Sequence, residues 1–143
     1  MDVIIGKQFP QKVIPLIDAA KKSIKVVVFD WRWYPQDPGN LVQLFNQAIV
    51  RAVRRGVQVE AIANNDEIVK TLNDVGCKAK KLITPKLVHA KMMLIDDEVL
   101  ILGSHNYTQN AFTMNHELSI ILSEGFSSEP FSRFFTDLFY AYG

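Results

Sequence analysis

The chain has 143 residues, is 48% hydrophobic and 22% charged, and carries a formal net charge of +1. That length and apolar content suit one compact domain over residues 1–143, and the near-neutral charge excludes the global basic field of a nucleic-acid coat protein, so attraction to a polyanion has to be local. The single cysteine, Cys77, excludes an intramolecular disulfide; histidines at 89, 105 and 116 make no Cys/His cluster at zinc-ligand spacing, so neither metal nor cofactor is expected.

Along the chain, Met1 to Phe9 has an acid at its second position and no apolar core of signal-peptide length. No stretch approaches the roughly 20 apolar residues that span a bilayer. The expectation is a soluble, cytoplasmic protein without stable membrane insertion. Residues 11–22 place Val13, Leu16, Ile17 and Ala20 at helical spacing, and residues 24–29 are a nearly unbroken apolar run that predicts a strand buried on both faces. Two prolines and a glycine make 35–39 a loop. Asn40 then caps a helix whose stripe is Leu41, Leu44, Phe45, Ala48, Ile49, Ala52 and Val53, ended by Gly56. Residues 57–63 read as a strand, and 66–75 as a short helix closed by Gly76. The remainder is strand-rich: 79–83, 88–95, 99–102 and 116–122, with Asp97-Glu98 as a tight turn. Residues 127–142 predict a last helix that buries Phe131, Phe134, Phe135, Leu138 and Phe139. The fold class expected is α/β, a mixed β-sheet sandwiched between helices on both faces.

Side chains two apart share a strand face, which puts His89 and Lys91 on one side of the sheet and Asp96 on the other, holding the turn or a neighbouring strand. Ser104 and Asn106 form a second such pair, and Asn115 and Glu117 a third. The three pairs can converge on one patch, and their groups suit a phosphodiester. An imidazole can attack phosphorus, Lys91 can neutralise non-bridging oxygens, and Ser104 and Asn106 can donate hydrogen bonds where charge grows. Glu117 can accept from the far ring nitrogen of His89 and fix its tautomer. A leaving alkoxide still needs a general acid, which His89 cannot supply while it attacks.

The spacing His89-x-Lys91-x4-Asp96-x6-Gly103-Ser104, with Asn106 two residues on, resembles the signature of the phospholipase D superfamily. Residues 19–24, the strand entry Arg55-Gly56-Val57-Gln58-Val59 and Asn115-x-Glu117 look like its single-motif bacterial endonuclease branch. The resemblance implies catalytic residues His89, Lys91 and Glu117, with His89 forming a phosphohistidine and Glu117 orienting it. It implies phosphate binding by Lys91, Ser104 and Asn106, and structural duty for Asp96, Gly103 and Asn115. It also implies that the missing acid is His89 of a second copy, hence a homodimer. His105 and His116 occupy the free positions of these motifs and are expected to point away from the patch.

Residues 78–91 hold five lysines and no acid, a solvated face or a local approach for a phosphate backbone. Trp31-Arg32-Trp33-Tyr34 leaves the first predicted strand where α/β sheets often place ligands; its aromatics could stack on bases or pack on lipid, with anchoring of the loop or the dimer interface favoured over both. The leading expectation is a metal-independent nuclease acting on DNA or RNA. A phospholipid phosphodiesterase or phosphatidyltransferase is the second reading, and a nuclease-like binding or regulatory module active only with a partner is the third.

Overall fold

The computed structural model describes residues 1–141, so the proposed helical end at Tyr142 lies outside them. The described residues form a seven-stranded sheet of β1 (Asp2–Ile5), β2 (Ser23–Val27), β3 (Gln58–Ile62), β4 (Lys78–Lys80), β5 (Met92–Ile95), β6 (Val99–Gly103) and β7 (Leu118–Leu122), in the order β1-β7-β6-β5-β2-β3-β4. The β2–β3 and β3–β4 pairs are parallel and the others antiparallel, giving the mixed sheet expected.

Helices α1 (Gln8–Asp18), α2 (Leu41–Arg54), α3 (Asp66–Asp74), α4 (Gln109–Thr113) and α5 (Glu129–Ala141) complete the fold. Strand parity sorts the central side chains into two cores. Ile24, Val26, Met93 and Ile95 face the core that holds α1 and α2, while Val27, Met92 and Leu94 face Phe135 and Phe139 of α5. Both faces of β2 and β5 are therefore covered, which is why these strands read as unbroken apolar runs.

The helix starts follow their caps. Asn40 accepts from Val42 N (2.9 Å), Asn65 from Ile68 N (2.8 Å) and Thr108 from Ala111 N (3.2 Å). Several boundaries differ from expectation. Helix α1 runs from Gln8 to Asp18 rather than 11–22, because the N–H groups of Lys21, Lys22 and Ser23 are taken by the Asp96 carboxylate and not by a further helical turn. Strand β1 sits at a sheet edge and buries only Ile4, so its alternation is too short to see in the sequence. The turn after β5 lies one residue earlier than expected: Glu98 N bonds Ile95 O (2.9 Å), and Asp96 and Asp97, with φ of 55° and 53°, form its centre. In α5, Phe134 is 44% exposed, since the face toward the sheet is filled by Phe135 and Phe139.

Candidate active site

The proposed site residues other than Asp96 gather at one end of the sheet, where β2 and β6 finish and β5 and β7 begin. Here the strands predicted at 88–95 and 116–122 are shorter than expected: β5 starts at Met92 and β7 at Leu118, leaving His89, Lys91, Asn115 and Glu117 on the segments that lead into them. The leading segment is tied down by Asn64, whose Nδ2 donates to Val88 O (2.8 Å) and Phe29 O (3.1 Å). The pairing expected from parity survives without the strand. Lys91 Nζ lies 2.9 Å from His89 Nδ1 and 3.3 Å from Nε2, and the imidazole packs against Phe29 with ring centroids 4.9 Å apart.

An ammonium can only donate, so a ring nitrogen that receives the Lys91 proton is one that carries none of its own. Burial pulls the Lys91 pKa below the ordinary lysine value, and the Glu117 charge partly opposes that. Lys91 is thus a cation held close to the imidazole with part of its hydration removed.

Opposite this pair, Ser104, Asn115 and Glu117 interlock. Ser104 Oγ donates to Glu117 Oε1 (2.5 Å) and accepts from Leu118 N (3.0 Å), and Asn115 Nδ2 donates to Glu117 Oε2 (3.0 Å). Each carboxylate oxygen thus receives one hydrogen bond from these two residues, and among the described residues no bond joins His89 to Glu117. The Ser104 proton is spent on Glu117, which makes Ser104 a positioning residue in this state. Gly103 permits the arrangement, since a Cβ there would collide with Ser119 and with the Leu118 carbonyl.

Asn106 accepts at Oδ1 from Asp30 N (3.0 Å), which fixes its amide so that Nδ2, the donor, faces away from the β2 backbone. Asp96 lies away from this group: its two oxygens receive the N–H groups of Lys21, Lys22 and Ser23 at 2.7–3.2 Å, a latch between the α1–β2 connection and the β5–β6 turn. His105 is buried, bonding Ser119 Oγ (2.7 Å) and Gly6 O (2.8 Å), and burial lowers its pKa. His116 is exposed.

The sequence did not single out Asn46, Gln43 and Asn64. Asn46 accepts from Trp31 Nε1 (2.7 Å) and donates to Arg32 O (2.9 Å), while Gln43 accepts from Tyr34 N (2.7 Å). For Asn46 and Gln43, polar residues among the apolar ones of α2 were the available signal.

Residues 13–139 match the family described as "Cardiolipin synthase, PLD-like domain". The human protein named mitochondrial cardiolipin hydrolase is 28% identical over 134 residues, covering 94% of this chain and 50% of the relative; the chain spans about half the length of the curated relatives it matches most fully. NucT from Helicobacter pylori superimposes with a TM-score of 0.78 at 19% identity, over 96% of this chain and 94% of that one. The phospholipase D family member Nuc from Salmonella typhimurium gives 0.76 at 21% identity, over 96% and 93%.

Proposed function

The chain belongs to the phospholipase D superfamily of phosphodiesterases, and from that membership we propose that it hydrolyses nucleic-acid phosphodiesters through a phosphohistidine, in an active site shared by two copies of the chain. The observation that carries the reading is the exposed His89 imidazole with the Lys91 ammonium 2.9 Å from its ring nitrogen. An arriving diester draws that ammonium onto a non-bridging oxygen, which releases the ring nitrogen as a nucleophile. Asn106 Nδ2 donates to a second oxygen. As the N–P bond forms and the P–O bond breaks, the imidazolium of the partner subunit's His89 protonates the leaving oxygen. Water then attacks phosphorus, loses its proton to that same imidazole, and the N–P bond breaks. Glu117, anchored by Ser104 and Asn115, supplies the negative charge that keeps Lys91 protonated. Charge neutralisation by Lys91 does the work a metal does elsewhere, so the reaction is metal-independent. Among the described residues no helix is long and apolar enough to cross a membrane.

The test mixes the chain with plasmid and with single-stranded DNA and RNA in excess chelator. Cleavage is expected, and His89→Ala abolishes it; no cleavage, or cleavage that survives the substitution, rejects the reading. At equal total protein, full subunit exchange with an equal amount of His89→Ala gives roughly a quarter of the parent's activity per chain if each site needs both histidines, against roughly half if one suffices.

A second reading keeps the chemistry and takes a phospholipid, favoured by the name carried by the curated relatives. Release of phosphatidic acid from cardiolipin vesicles without nucleic-acid cleavage selects it.

A further inference from the structure

Beside the phosphate-handling residues lies a cleft of about 480 Å³, walled by residues 30–34, the start of α3 and the start of α4. That size falls in the range of small-molecule sites. The cleft and the candidate active site share a wall. Asp30 lines the cleft while its N–H is held by Asn106 Oδ1 (3.0 Å), its carbonyl receives Tyr107 N (3.0 Å), and the chain running on from Asn106 supplies Thr108, Gln109 and Asn110 to the opposite side.

We propose that this cleft is a nucleobase subsite, seating the base next to the scissile phosphate; the inference rests on the nuclease reading for the identity of its ligand. Charge argues against a phosphate as occupant. The Arg32 guanidinium is paired with Asp30 at 2.9 and 3.3 Å, Glu67 adds a further carboxylate, and no lysine lines the space. The lining instead suits an uncharged, planar, hydrogen-bonding group. Trp33 and Tyr34 are half-buried aromatics on one wall. Asn65 and Gln109 each have the side-chain oxygen occupied, by Ile68 N (2.8 Å) and Asn40 Nδ2 (3.3 Å), so each amide keeps its NH₂ group as the free donor. Stacking on aromatics with amide bonds to the base edge is how unpaired bases are held. A diacylglycerol finds little apolar surface there.

A second observation points the same way. The aromatic wall is held by polar side chains that α2 commits to it from inside the core: Asn46, 0% exposed, bonds Trp31 Nε1 and Arg32 O, and Gln43, 2% exposed, bonds Tyr34 N. Burying amides in an apolar stripe is costly unless they are satisfied. Here they fix the backbone on both sides of Trp33, which preorganises the wall for a ligand.

Calorimetric titration of the full chain with nucleoside 5′-monophosphates and with ribose 5-phosphate tests the proposal. The nucleotides are expected to bind about tenfold more tightly. Trp33→Ala and, as a variant on an exposed position, Gln109→Ala should narrow that gap while hydrolysis of methyl p-nitrophenyl phosphate, a diester with no base, stays within about twofold of the parent. Equal binding of nucleotide and sugar phosphate, or a gap that survives both substitutions, overturns the subsite. The nuclease reading fails separately. Base-dependent binding in a chain that cuts no nucleic acid rejects that reading and keeps the subsite, whereas oligonucleotides cut equally fast with an abasic residue at each flanking position reject only the subsite.

Discussion

Replacing Asp96 separates architecture from chemistry within the motif. Its carboxylate receives four hydrogen bonds from three backbone N–H groups, Lys21 (3.2 and 2.9 Å), Lys22 (2.7 Å) and Ser23 (3.0 Å). In Asp96→Ala the donors of Lys21 and Lys22, which are exposed, return to water, while Ser23 is half-buried and is satisfied less well. A hydrogen bond to a charged group contributes about 1.5–3 kcal/mol net, and discounting the two exposed donors leaves an expected loss of about 2–4 kcal/mol. For a chain of this size that lowers Tm by about 6–12 °C. Asp96→Asn keeps one oxygen for Lys22 and Ser23 and tolerates the positive φ, but turns an NH₂ group toward the Lys21 N–H, so about half the loss is expected. Burial works to raise the Asp96 pKa and the three N–H donors outweigh it, so the folded value lies below the usual 3.8. The stability it confers is therefore full above that value and is lost as pH falls through the folded pKa, and Asp96→Ala should flatten this acid limb. Thermal denaturation at pH 7, paired with hydrolysis of a small diester well below Tm, measures both quantities. A variant as stable as the parent, or one fully folded yet inactive, refutes the latch.

The other expectations follow from the same geometry. Because burial holds the Lys91 pKa below 10.5 and Glu117 opposes that, the alkaline fall of kcat/KM should begin below the ordinary lysine value and move lower still in Glu117→Gln, as a pH profile will record. His105 is held neutral by burial with its folded pKa below 6.5; the unfolded chain then binds the extra proton first, so stability is full above pH 6.5 and declines as pH falls toward the folded pKa, a slope that His105→Gln should reduce in denaturant titrations. Gly103→Ala drives a Cβ into Ser119 and the Leu118 carbonyl, with about 1–3 kcal/mol of destabilisation expected from overpacking and a displaced Ser104–Glu117 pair that lowers activity at temperatures where the fold persists. Burial pushes the Cys77 thiol up to about 12, so thiol reagents at pH 8 should modify it only as fast as the chain opens.

Much of this protein is legible in one dimension. Helix α2 announces itself through a continuous 3.6-residue stripe between Asn40 and Gly56, and β2 and β5 through apolar runs that only two-sided burial explains. Side-chain alternation also assigned His89 and Lys91 to one patch and Asp96 to another, because two-residue spacing persists in an extended segment even where no ladder forms. Family resemblance carried the expectation of phosphodiester chemistry, since the motif residues are close in sequence and their types limit the reactions available. The tertiary structure alone decided the rest. That α1 stops at Asp18 depends on Asp96, 78 residues away, claiming the next N–H groups. That Ser104 holds Glu117 instead of reaching outward depends on the β6–β7 register, which sets Gly103 against Ser119. That Asn46 and Gln43 brace an aromatic wall depends on α2 lying beneath the loop that leaves β2. Periodicity reports what each residue does to its near neighbours; partners brought together across the sheet leave no local pattern, so only the folded chain reveals them.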